Sequence, residues 1–258
     1  MSRYKNYLML SVATVAAIVM RTVMAFFIID QNSGFVNNEN MAYAVFIIVI
    51  ILAAAAVVYL QALTSPLEKL KAPDFAGVFR IIISILLALA IAFDVSVNQT
   101  SYLLPLWMTR AYTVISVIFM AYLMFSAFKR ETPPLLSVIP VIFWLLRLVM
   151  AFLEFSSVSN TVENLLELLT ICIILLFFLT YGKAICLEPV VKLLRKLNAL
   201  TYLACYMAFV TAIPKAVIVF SGYENILHEN NRSFIVTLLT GFYILLFIFK
   251  NNKKSRFF

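Results

Sequence analysis

The sequence contains one histidine, His228, five glycines and three cysteines in 258 residues, and only 12% of it is charged. Each scarcity removes a class of function. Haem held between helices needs paired histidine ligands, which a single histidine cannot supply. A metal hydrolase needs ligand clusters such as HExxH, and no such spacing occurs, so neither a metal nor another cofactor is expected. The five glycines form no phosphate-cradling loop, which excludes nucleotide hydrolysis by this chain alone. Serine and cysteine nucleophiles have no histidine base nearby, so an enzyme is the least expected of the main classes. Cys172, Cys186 and Cys205 make neither a disulfide framework nor a zinc spacing.

What is present is hydrophobic. Apolar residues make up 64% of the chain, against a charged content about half the ~25% usual in soluble domains. They fall in runs of about 20, the length of helix that crosses a ~30 Å hydrocarbon core. Alternation with a period of two is absent, which argues against a transmembrane β-barrel. The fold class expected is an all-α polytopic membrane protein. Eight spans are predicted, at Tyr7–Ile29, Met41–Leu63, Val78–Val97, Pro105–Phe128, Leu135–Leu153, Val162–Tyr181, Ala199–Phe220 and Phe234–Phe249.

The two halves of the sequence resemble one another. Arg21-Thr22-Val23-Met24-Ala25-Phe26 returns with one change as Arg147-Leu148-Val149-Met150-Ala151-Phe152, 126 residues on. Glu39-Asn40 answers to Glu163-Asn164, Pro66 to Leu70 answers to Pro189 to Leu193, and Arg110-Ala111-Tyr112 answers to Arg232-Ser233-Phe234. Four matches in register, with a slowly shrinking offset, argue for a duplicated unit. The expected organisation is a 4+4 internal repeat, residues 1–131 carrying spans one to four and 132–258 spans five to eight. An even number of spans per unit gives both units the same orientation, a parallel repeat about an axis along the membrane normal.

Charge predicts the orientation. Basic residues flank one set of loops: Arg3 and Lys5, Lys69 and Lys71, Lys129 and Arg130, Lys192 to Lys196, and Lys250 to Arg256. The alternate loops carry Asp30, Glu39, Glu154, Glu224 and Glu229. That asymmetry places both termini in the cytoplasm. The net charge of +8 is then a topology and anionic-lipid signal, and no nucleic-acid partner is expected. Span one resembles a signal peptide, but its partner, span five, is internal, so it is read as retained. Short loops suit a bacterial cytoplasmic membrane. Residues 66–71 and 189–196 each open with proline and alternate apolar with basic residues, a pattern for short interfacial helices that could also dock a cytoplasmic partner.

Ionisable residues inside spans are costly and must find partners. Six form the candidate ligand site: Arg21, Glu39, Arg147, Glu163, Glu167 and Lys215, all in the predicted outer half. The expected pairs are Arg21 with Glu39 and Arg147 with Glu163 or Glu167. Asp94 and Arg110 read as interfacial anchors. Two functions follow from such a site. One is a small transporter or solute-binding subunit taking a zwitterion or an organic anion between the two repeats. The other is a membrane scaffold, sensor or assembly partner whose charges only hold helices together; an enzyme acting on a membrane lipid stands behind both. The orientation is tested by cysteine labelling. Position 35 or 226 should react with an impermeant thiol reagent in intact cells, and position 69 or 192 only after permeabilisation.

Overall fold

The computed structural model describes residues 2–29, 36, 40–64, 77–98, 105–128, 133–157, 162–186, 191–222 and 234–252. They fold almost wholly as helix: α1 Ser2–Phe27, α2 Met41–Leu63, α3 Gly77–Asn98, α4 Leu106–Phe128, α5 Val138–Ser157, α6 Val162–Cys186, α7 Val191–Phe220 and α8 Phe234–Asn252. Seven are long and apolar enough to cross a membrane; the apolar described part of α8, Phe234–Leu246, is shorter. Only helices satisfy their own backbone in hydrocarbon, which is why runs of this composition take this form. The chain is a helical, multi-pass membrane protein.

Six helices close a ring. Each of α3 to α8 packs on the next, and α8 returns to pack on α3. Helices α1 and α2 pack on one another and on α7. The packing thus groups the helices as two plus six. Corresponding helices of the sequence repeat have different neighbours: α7 packs on α1, α2, α6 and α8, whereas α3 packs on α4 and α8.

Helix α7 is the centre of this arrangement and is buried on nearly every side. Its composition permits that. Ala204, Ala208 and Ala212 recur every four residues, and small side chains let neighbouring backbones approach. A Cβ on Gly241 of α8 would lie 3.0 Å from the Ala208 Cβ, so the α7–α8 contact is built around a missing side chain. On the α2 side, Asn198 donates to Ala62 O at 2.9 Å and Tyr206 to Ile51 O at 3.1 Å. Gly222, with φ of 78°, ends α7 in the left-handed conformation that glycine adopts without strain.

One expectation changes here. Residues 191–196 are the opening turns of α7 and do not form a separate interfacial helix. Their continuity follows from the helix-compatible run Val191 to Ala199, which has no glycine or proline to break it. Residues 66–71 lie outside the described residues.

The glycine contact makes a stability prediction. Gly241→Val should cost about 1–3 kcal/mol by overpacking, read as a lowered Tm in detergent. Ala208→Gly in the same chain should recover part of the loss, because it removes the atom that the new side chain meets.

A buried charge quartet as candidate functional site

Four ionisable side chains from four helices meet inside the ring. Asp94 of α3, Arg147 of α5, Glu167 of α6 and Lys215 of α7 are each at most 8% exposed. Arg147 Nη1 lies 3.4 Å from Asp94 Oδ2, and Lys215 Nζ pairs with Glu167 Oε2. Glu167 also adds to the negative field at Arg147. Two cations and two anions make the group neutral, as a charge cluster away from water must nearly be.

Local sequence sets each position. Asp94 lies in the last turns of α3, and Tyr112 in the first turns of α4; antiparallel packing brings them together. The Tyr112 hydroxyl donates to Asp94 Oδ2 at 2.5 Å, and Arg147 Nη1 lies 3.4 Å from the same hydroxyl. The phenol therefore bridges the ion pair. On α5, Trp144 sits one turn before Arg147, and its ring lies 5.4 Å from the guanidinium carbon. Delocalised charge above an indole face is attracted by the ring quadrupole. Beneath Tyr112, Phe143 stacks at 5.8 Å and itself packs on Phe119 at 4.4 Å, forming an aromatic floor.

Arg147 thus finds its described ion-pair partner on α3, while Glu167 finds its own on α7. The expected pairing followed the short connection between spans five and six. Ring closure places α3 so that Asp94 reaches Arg147 inside the ring, while α7, packed directly on α6, supplies Lys215 to Glu167. The side chain of Glu163, like that of Glu154 and the whole of Glu39, lies outside the described residues. Asp94 is buried at 3%, so it is a member of the site and not an interfacial anchor. Arg110 is exposed.

The described hydrogen bond of Arg21 is to the backbone of α7. The side chain is buried at 1% and donates from Nη1 to Val210 O of α7 at 3.0 Å. The reason lies four residues along α7. Pro214 is inside the helix and has no N–H, so the carbonyl of Val210 loses its usual intrahelical donor. The guanidinium takes that place. Among the described contacts, Arg21 thus meets a backbone carbonyl and Arg147 a carboxylate, despite their matching sequence neighbourhoods.

Tyr112 was not among the residues singled out by sequence. A usable signal exists, however: Thr109, Tyr112, Ser116 and Phe119 mark one buried stripe of α4 at helical spacing. Among the described residues, no group of three or more His, Cys, Asp or Glu is placed to hold a metal ion. Comparison of the chain with protein-family models, with curated proteins and with solved structures finds no match.

The geometry predicts a coupling pattern. Lys215→Met alone should cost about 3–5 kcal/mol by leaving a buried carboxylate unpaired, and adding Glu167→Gln should recover much of it. Arg147→Met and Asp94→Asn should couple likewise, by about 1–3 kcal/mol in a double-mutant cycle read from thermal unfolding. The pair Arg147→Met with Glu167→Gln should couple more weakly. Stronger coupling across that pair than within either contact pair would contradict the assignment.

Proposed function

We propose that this protein is a small transporter or solute-binding membrane subunit whose site is the charge quartet Asp94, Arg147, Glu167 and Lys215. The observation that carries the reading is convergence. Joining two helices takes one ion pair, whereas this group draws opposite charges from four helices to one level of the ring. A zwitterion could exchange with the internal pairs, its carboxylate taking the donors of Arg147 and Lys215 and its ammonium group facing Asp94 and Glu167. A second observation supports it. Trp144 Nε1, one turn before Arg147, is buried with no hydrogen-bond partner among the described residues. Such a group costs about 1–3 kcal/mol unless water or a ligand meets it.

The second reading is a membrane scaffold or assembly partner. It is favoured by the closure of both ion pairs on themselves and by their burial. The wider setting belongs to the same proposal: a duplicated chain of units 1–131 and 132–258, in a bacterial cytoplasmic membrane, with its termini and basic loops in the cytoplasm.

Ligand-dependent stabilisation separates the two. The full chain in nanodiscs is heated with amino acids, dipeptides and dicarboxylates as probes. Under the transport reading, at least one zwitterion raises the Tm saturably, and Glu167→Gln with Lys215→Met folds but binds that probe at least ~10-fold more weakly, as loss of charge-assisted bonds requires. A flat response to every probe, with a normally stable double variant, would favour the scaffold.

A further inference from the structure

Helix α7 is continuous from Val191 to Phe220, yet the core against which it packs is not. The main apolar core takes its α7 members from Leu194 to Val210. Beyond that point the company changes. Ile218 packs with Met24 and Ala25 of α1, with Ile29 just past that helix, and with Ala44 of α2, in a second and smaller core. Helices α1 and α2 divide at the same level, since Ala17 and Ile51 belong to the main core.

The division falls near Pro214. A proline inside a helix removes one backbone bond, and helices bend most readily there. Thr211, three residues earlier, turns its hydroxyl back to Met207 O at 2.8 Å, a bond that also favours bending. The carbonyl that the proline deprives, Val210 O, is held from outside the helix by Arg21 at 3.0 Å. Bending at the proline therefore breaks no backbone bond at that carbonyl, and the flexible arginine stem can follow it.

The first residue past the proline is Lys215, whose described partner is Glu167 of α6. Residues 215–220 are thus seated on the apolar ends of α1 and α2 and tied to the ring by a buried ion pair. We propose that residues 215–220 form a hinged lid over the charge quartet, jointed at Pro214 and latched by the pair Lys215 and Glu167, which opens toward lipid together with the adjoining ends of α1 and α2. The proposal goes beyond the transport reading and does not rest on it, because opening is the parting of the latch and requires no solute.

The packing permits movement in that direction. Helices α1 and α2 pack on one another and on α7, and at this end Phe27, Tyr43 and Phe46 are exposed, where only lipid would be displaced. The latch suits its task as well. Two charges attract strongly in a dry interior and weakly once water or a ligand solvates either one. Such a latch holds when dry and releases when wetted. All four members of the quartet are at most 8% exposed, so the structure described here is the closed state.

Double electron–electron resonance on the full chain in nanodiscs, without added solute, reads the lid directly. The three native cysteines are replaced by alanine, and spin labels are placed at position 220 on α7 and position 107 on α4, the ring helix opposite. Phe220 and Trp107 are both exposed, so the labels leave the core intact. One main distance and a minor longer one are expected. Glu167→Gln with Lys215→Met should raise the longer share about five-fold or more, as expected when a contact that biases a two-state equilibrium is lost. Pro214→Ala, which restores the missing backbone donor, should lower that share. Labels at 27 and 107 should lengthen in step with 220, while labels at 165 and 107, both on the ring, should not. A distance unchanged in the double variant, a position 27 that does not follow, or equal lengthening between 165 and 107 would overturn the proposal. The double variant removes both charges of the pair, so the test holds even if Lys215→Met alone does not fold. A flat response to every solute would count against the transport reading and leave the lid standing.

Discussion

The bond from Arg21 to the carbonyl of Val210 is the contact on which the two-plus-six arrangement turns. A proline within a membrane helix leaves a carbonyl without its donor, and hydrocarbon offers no replacement. An arginine one helix away carries the opposite problem, a charge that lipid will not solvate. Each answers the other. The result fixes α1 against α7 at one depth, and α2 completes the contact through Asn198 and Tyr206, which reach backbone carbonyls from the same central helix. Among the described residues, these three polar bonds, two of them donated by α7, help fasten the α1–α2 pair to the ring.

Within the ring the same rule acts on side chains. Ion pairs in a low-dielectric interior need good geometry and further hydrogen bonds to offset lost hydration. The Tyr112 hydroxyl supplies one such bond to Asp94, and the Trp144 ring supplies a face to Arg147. Below them the contacts turn aromatic, running from Tyr112 through Phe143 and Phe119 to Tyr122. Below the ion pairs the interior of the ring is therefore mostly aromatic carbon.

How much of this was legible in the sequence depends on the range of the interaction. Helix positions were legible because each span declares itself by local composition; Met41–Leu63 coincides with α2 in full. Arg147, Glu167 and Lys215 were legible as buried charges because a charge inside an apolar run has few alternatives to an interior partner. The partnership of Arg147 with Asp94 and that of Glu167 with Lys215 were not legible. Adjacency along the chain favoured Glu163 or Glu167 for Arg147, but the closing of α8 on α3 is a long-range event that no local pattern encodes. Asp94 was misjudged because its place near a helix end resembles an interfacial anchor until the ring covers it. Pro214 held more information than was drawn from it: a proline inside a span implies an orphaned carbonyl at Val210, and hence a donor somewhere nearby.

The separation of Arg21 and Val210 by 189 positions has a consequence for biogenesis. During synthesis α1 enters the membrane long before α7 exists, carrying an arginine about two turns from its end. Until α7 arrives, its bond to the Val210 carbonyl cannot form. The α1–α2 hairpin therefore waits without its α7 contacts through the synthesis of four more helices. Its docking on α7 is a late event, and a chain stopped before α7 would lack the surface on which α1 and α2 pack.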